Sequence, residues 1–326
     1  MENKYKLTDE IIIINDKKLY RIEALKDFKN VKKHDKGGFV ENDKNLSQDG
    51  DCWIYGDAKV FDNARVYGSA IIWGTAQVCD NAVIYDSAQV YDDAVVHGDA
   101  SVYGYARVFH HARVFDDAQV YSNTQVYGNA LVFGNSTVYD RAQVYGKALV
   151  YDNAQVCSDT NVYDRAQIYG NAIVNGECLI YNDAKISGDV YIFGNASVCG
   201  HAQVYDTATV CNNALIYGNA RVYGNARVYG NAKIFGDAKI YGAAHVFGDA
   251  QIGDDAEVKD TPDYIVFKNW WSSGRFFTWT RSNNKWKVGC FYGTGEELVE
   301  KAYRDSEVSG KEYERIVNYV KSILEE

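Results

Sequence analysis

The chain has 326 residues, a formal net charge of −10, 47% hydrophobic residues and a single proline, Pro262. That acidity argues against general nucleic-acid binding, which needs clustered Lys and Arg to neutralise phosphates. No apolar stretch reaches the length of a membrane span, and no hydrophobic core follows the Lys-rich start, so a cytoplasmic protein of a bacterium or its phage is expected, with no membrane partner.

Residues 1–53 read as an N-terminal β-hairpin cap and a first coil. Ile11-Ile12-Ile13-Ile14 and Leu19-Tyr20-Arg21-Ile22 flank Asn15-Asp16-Lys17-Lys18, which is a hairpin signal. Val40 and Leu46 start a six-residue rhythm, but the step from Leu46 to Ile54 is eight and marks an irregular coil.

From Ile54 to Val258 every sixth residue is Val or Ile, in units such as Ala226-Arg227-Val228-Tyr229-Gly230-Asn231. Strand alternation sends the Val and the Ala two residues before it inward, and sends the flanking positions, including the frequent Tyr, to solvent. Gly-Asn, Gly-Asp or Asp-Asn supplies a corner with strained or positive φ. Three hexads close a triangular coil, so residues 54–260 form a solenoid around a thin column of Val, Ile and Ala. An uncovered end would offer open strand edges, hence the need for a cap.

The seven cysteines fit this plan without disulfides. Cys79, Cys157, Cys199 and Cys211 take the outward Tyr position with no two of them one coil apart, and Cys178 replaces an inward Ala. Unpaired thiols suit a reducing compartment.

Asp260-Thr261-Pro262-Asp263 breaks the repeat, and residues 261–326 read as a small α+β domain. Tyr264–Phe267, Arg275–Thr280 and Trp286–Phe291 are three expected strands. Thr294 with Glu297, and Ser309 with Glu312, have the spacing of capping boxes for two helices. Four of the six Trp residues lie here, at 270, 271, 279 and 286, which suits a small core first and a ligand platform second.

The hexads resemble the hexapeptide-repeat superfamily. That resemblance implies a mainly β fold, a left-handed parallel β-helix shaped as a triangular prism of about twelve coils, on the order of 55 Å long. Unlike the family pattern, the position after the aliphatic residue is mostly Tyr or Phe. Three further stretches resemble a group of bacterial and phage proteins labelled acyltransferases: Leu19–Ile22 leading to Gly37-Gly38-Phe39-Val40-Glu41, then Asn45–Trp53, then Gly289–Thr294. In related enzymes coenzyme A lies between two prisms of a trimer, a His is the base, and a protruding loop completes the site. The repeat here has no insertion, and His97, His110, His111, His201 and His245 match no catalytic motif, so no catalytic residue is assigned.

Stacking places other groups together. Asp92 and Asp93 share a corner with His110 and His111 one coil on, a weak metal candidate beside its plainer reading as solvated ion pairs. Cys79 and His97 are outward neighbours, a nucleophile geometry or filler in a ring ladder. Tyr127, Tyr145 and Tyr163 lie in one ladder, which stabilises parallel strands or offers a binding surface. With Trp270, Trp271, Arg275 and Trp279 they are the candidate binding residues.

The expected function is a rigid scaffold displaying the C-terminal domain, non-catalytic and without cofactor, associating with itself, as a trimer by resemblance, or with a protein partner. The alternatives are an acyltransferase using a coenzyme A thioester between subunits, and a phage-associated acidic protein that inhibits or sequesters host components.

Overall fold

A computed structural model describes residues 3–324. The protein is mainly β, a parallel β-solenoid of about twelve turns with a small antiparallel sheet and two helices toward the C-terminus. It divides into two compact units, Met1–Gly188 and Asp189–Glu326.

In the first unit, β1 (Tyr5–Ile14) and β2 (Lys17–Ala24) form an antiparallel hairpin. Its two-residue turn, Asn15 and Asp16 at φ 48° and 63°, needs the left-handed region that Asn and Asp tolerate. β3 (Lys36–Val40) pairs with β2 and, in parallel, with Lys59–Val60. Val40 faces Val60, an offset of 20, whereas Val60 faces Val78, an offset of 18. The difference is the two-residue excess that the Leu46–Ile54 step announces.

The strands β4 to β38, from Trp53–Ile54 to Glu257–Val258, are two residues each. Each hexad yields one such strand, and within a unit each pairs with the strands three hexads away, so the coils build three sheets. The aliphatic residue of every hexad is buried, and so is the small residue two positions before it. Burial of one Val contributes roughly 1.5–3 kcal/mol. Where a hydroxyl replaces the Ala, a carbonyl receives it: Thr124 Oγ1 donates to Tyr121 O at 2.7 Å, and Ser136 Oγ to Val150 O at 3.3 Å. Among the described residues no buried side-chain polar atom lacks a partner.

The corner residue two places after the aliphatic one has positive φ whether it is Gly146 (71°), Asp152 (56°) or His110 (57°). Asp at this corner does extra work. Its carboxylate accepts the backbone N–H of the corner one coil on, as in Asp80 Oδ2 with Gly98 N at 2.9 Å and Asp152 Oδ2 with Gly170 N at 3.1 Å.

In the second unit the coils keep the same pairing, Tyr191 facing Thr209 and Lys239 facing Glu257. A 3-10 turn, Thr261–Asp263, begins the departure from the last coil. The sheet that follows has four strands instead of three: β39 (Tyr264–Lys268), β40 (Phe276–Thr280), β41 (Lys285–Val288) and β42 (Phe291–Gly293). The expected third strand is cut at Gly289, whose φ of 55° turns the chain so that Phe291 pairs back on Val288. α1 (Gly295–Asp305) has the Thr294–Glu297 capping box. α2 (Glu307–Leu324) starts before the expected Ser309, because Ser306 Oγ accepts the Ser309 N–H at 3.1 Å and already caps the turn. Phe277, Trp279, Trp286 and Val288 from the sheet pack with Leu298, Tyr313, Val317 and Val320 from the helices.

This C-terminal domain is bonded onto the last coil and is not merely displayed by it. Strand-edge N–H groups that have no following coil donate to side chains: His245 to Thr261 Oγ1 (3.1 Å), Phe247 to Tyr264 Oη (3.2 Å), Gln251 to Thr278 Oγ1 (2.9 Å) and Glu257 to Ser282 Oγ (2.7 Å). Tyr264 and Tyr292 hydroxyls donate in turn to His245 O and Gly253 O, both at 3.0 Å. These bonds satisfy an open edge that would otherwise template aggregation.

Candidate functional site

The corner of Asp92, Asp93, His110 and His111 forms as expected. His111 Nδ1 lies 3.4 Å from Asp93 Oδ2, and His110 Nε2 lies 3.9 Å from Asp92 Oδ2. They line an open groove of about 610 Å³ with Gly74, Thr75, Gly128 and Asn129. Asp92, however, accepts the His110 backbone N–H at 3.2 Å, which is the structural task of every corner Asp described above, and Asp93 takes the Thr75 hydroxyl. All four side chains are well exposed. Exposed pairs of this kind contribute little to stability, and the carboxylates are already engaged.

Cys79 and His97 occupy successive coils without forming a nucleophile–base pair. His97 stacks on Phe115 with ring centroids 5.0 Å apart, its Nδ1 is 3.6 Å from Asp80 Oδ2, and its Nε2 is 3.2 Å from an Arg113 guanidinium nitrogen. Burial and then Arg113 push the imidazole down, toward the neutral form. Burial and then Asp80 push the Cys79 thiol up to about 11. A protonated thiol beside a neutral, otherwise engaged imidazole is no thiolate nucleophile.

Tyr127, Tyr145 and Tyr163 stack with centroids 4.8 and 5.0 Å apart and planes within 4°. Their column starts earlier than the tyrosines suggest. Trp73, Tyr91 and Phe109 lead into Tyr127, and Tyr181 follows Tyr163, at spacings of 4.0 to 5.0 Å. A second column runs Tyr67, Tyr85, Tyr103, Tyr121, Tyr139. The rings lie flat on one another and are mostly half-buried, not simply turned to solvent, because each covers the next one coil along. Burial is the main cause that pushes up the phenols of Tyr103, Tyr121, Tyr127 and Tyr145, and that of Tyr85 to about 12. Cys157 and Cys199, expected outward in such columns, are buried for the same reason.

The four C-terminal tryptophans part company. Trp279 and Trp286 are each 2% exposed. Trp279 Nε1 donates to Asn284 Oδ1 at 2.9 Å, so it is a core residue and leaves the candidate surface. Trp270 and Trp271 are 73% and 83% exposed in the β39–β40 loop. Asn269, only 3% exposed, holds that loop: its Oδ1 accepts the N–H groups of Trp271 and Ser272 at 3.0 Å, its Nδ2 donates to Ser272 Oγ at 2.9 Å, and its N–H donates to Arg275 O at 2.9 Å. Lys268 Nζ sits 4.1 Å from the Trp270 ring centroid. The exposed Arg275 closes the loop.

Residues 58–74, 76–89, 88–104, 125–140, 142–158, 166–182, 214–230 and 220–234 match the profile of the YdcK beta solenoid repeat. These stretches are YdcK-like solenoid repeats. The YdcK-like stretches hold the His110–Asp92 pair only in part and include the ladder positions Tyr127 and Tyr145, while the Trp270 loop lies outside them. No curated protein matches the chain. Among solved structures, the UDP-N-acetylglucosamine O-acyltransferase LpxA from Moraxella catarrhalis RH4 is similar at 13% identity and a TM-score of 0.30, over 79% of this chain and 93% of that one.

Two features escape a reading of the YdcK-like repeat. Asn269 belongs to no hexad, although an Asn directly before two exposed aromatics and Ser272 is an Asx-turn signal. The cluster of Asp62, Cys79 and Asp80, whose ligand-type atoms all lie within 4.8 Å of one another, mixes two hexad positions. Its signal was the carboxylate spacing of 18.

Proposed function

We propose that this chain is a rigid, non-catalytic scaffold whose capped end presents the Trp270–Trp271 loop to a protein partner with an acidic surface. The observation that carries this reading is the loop itself. Two adjacent tryptophans stand in water while a buried asparagine fixes the turn beneath them, so their exposure is built in. Trp, Tyr and Arg dominate the energetics of protein interfaces, and a pre-ordered loop loses little conformational entropy on binding. The charge pattern supports an acidic partner. Between residues 264 and 295 stand Lys268, Arg275, Arg281, Lys285 and Lys287 with no Asp or Glu, in a chain of net charge −10.

The test is a Trp270→Ala/Trp271→Ala double variant. Both rings are exposed, so the urea midpoint should stay where it is, while quantitative capture from cell extract should lose a partner that the parent chain retains and that an Arg275→Glu variant also loses. Identical capture by parent and variants refutes the reading.

A further inference from the structure

Asp62 and Asp80 share one corner of the first unit, one coil apart, and Cys79 stands directly before Asp80. The column through position 79 carries Phe61 one coil before and His97, Phe115 and Phe133 after, with His97, Phe115 and Phe133 stacked at 5.0 and 4.8 Å. At 79 a thiol stands where its neighbours have rings. It packs half-buried against the Leu19, Phe39 and Phe61 cluster and is free. The ligand-type atoms of Asp62 and Asp80, one coil apart, lie close to its sulfur.

We infer that Asp62, Cys79 and Asp80 form a binding site for a divalent metal ion of the zinc class. Their ligand atoms already lie within 4.8 Å of one another. Tetrahedral coordination with bonds of about 2.0–2.3 Å puts ligand atoms some 3.3–3.8 Å apart, so closing the site needs side-chain rotation on the order of 1 Å. One thiolate with two carboxylate oxygens suits a borderline-soft ion better than Mg²⁺ or Ca²⁺, and three protein ligands leave one position for water.

The surroundings fit the same role. Asp62 Oδ2 accepts the Asp80 N–H at 3.3 Å and Asp80 Oδ2 accepts the Gly98 N–H at 2.9 Å, which fixes both carboxylates. Because the Arg113 guanidinium donates to His97 Nε2, the His97 proton resides on Nδ1, 3.6 Å from Asp80 Oδ2, within reach of that carboxylate as an outer partner once the site closes. The fold also places a cation here already. Lys17, from the hairpin turn, contacts Asp62 Oδ1 and lies 3.8 Å from Glu41 Oε2. A metal ion takes the place of that ammonium on Asp62, and the Cys79 thiol releases one proton to solvent as its sulfur bonds the metal.

Titration of the full chain with Co²⁺ under a non-chelating reductant tests this. One equivalent should bind with a thiolate-to-cobalt charge-transfer band in the near ultraviolet, and Zn²⁺ should displace it. Cys79→Ser should abolish the band, and Asp62→Asn should weaken binding about tenfold or more. Lys17→Met should tighten it by removing the competing cation, a gain that a misfolded variant would not produce. Cys290→Ser, at an exposed thiol remote in sequence, should leave the band unchanged. Absence of a saturable band, or a band that persists in Cys79→Ser, overturns the assignment.

Discussion

Replacing Thr278 by Val keeps the shape of a packed side chain and removes one oxygen. Thr278 is 1% exposed, and its Oγ1 accepts the Gln251 N–H at 2.9 Å. Gln251 belongs to the last strand of its sheet, so no further coil can receive that donor. A buried N–H left without a partner costs about 1–3 kcal/mol. Because a solenoid is stabilised coil by coil, the loss should stay local, opening the last coil before the rest. Amide exchange at Gln251 should accelerate by about 5-fold to about 150-fold, at 1.4 kcal/mol per decade. Thr278→Ser retains the acceptor and should exchange nearly as the parent does. Hydrogen exchange read by mass spectrometry or NMR, with urea unfolding alongside, checks both. Unchanged protection of Gln251 in Thr278→Val would refute the claim that this side chain replaces a missing coil.

Three other outcomes follow from the same geometry. Gly146 has φ 71°, a region that β-branched residues avoid and that Asn182 and Asn212 adopt at equivalent corners, so Gly146→Val should destabilise by about 2 kcal/mol or more while Gly146→Asn costs much less; chemical denaturation reads the difference. Tyr85 is pushed up from 10.0 to about 12, chiefly by burial, so the folded state holds its proton more tightly than the unfolded one. Its contribution to stability is therefore full below pH 10 and disappears as pH rises through about 12, and Tyr85→Phe should blunt the alkaline fall in melting temperature. Acetyl-coenzyme A at millimolar concentration should leave the melting temperature unchanged, and a saturable rise would contradict the scaffold reading.

The repeat was legible because a single physical demand, an inward β-branched residue every six positions, is written at one residue type. The corners were readable where Gly, Asp or Asn marks them, but His110, Ser122 and Ser158 adopt the same positive φ and betray nothing by composition. They follow only from their phase in the hexad. The ring columns are half legible: a column is defined by a spacing of 18 and not by residue name, so the Tyr127 ladder also takes in Trp73, Tyr91 and Phe109. Gly289 looks in sequence like part of a strand, although its freedom at positive φ is what ends one. The bonds of Thr261, Tyr264, Thr278 and Ser282 to the last coil are long-range and carry no local signature, so the C-terminal domain looked like cargo when it is a cap. Of the binding candidates, Trp270, Trp271 and Arg275 stand at the surface and Trp279 does not, because it packs with Phe277, Trp286 and the helices.

The central claim is that the exposed tryptophan loop is what this scaffold exists to present. Quantitative affinity capture with the parent chain and the Trp270→Ala/Trp271→Ala variant, both at the same urea midpoint, tests it most directly. The account predicts a partner enriched by the parent and lost by the variant. Equal enrichment of every captured protein by both would contradict it.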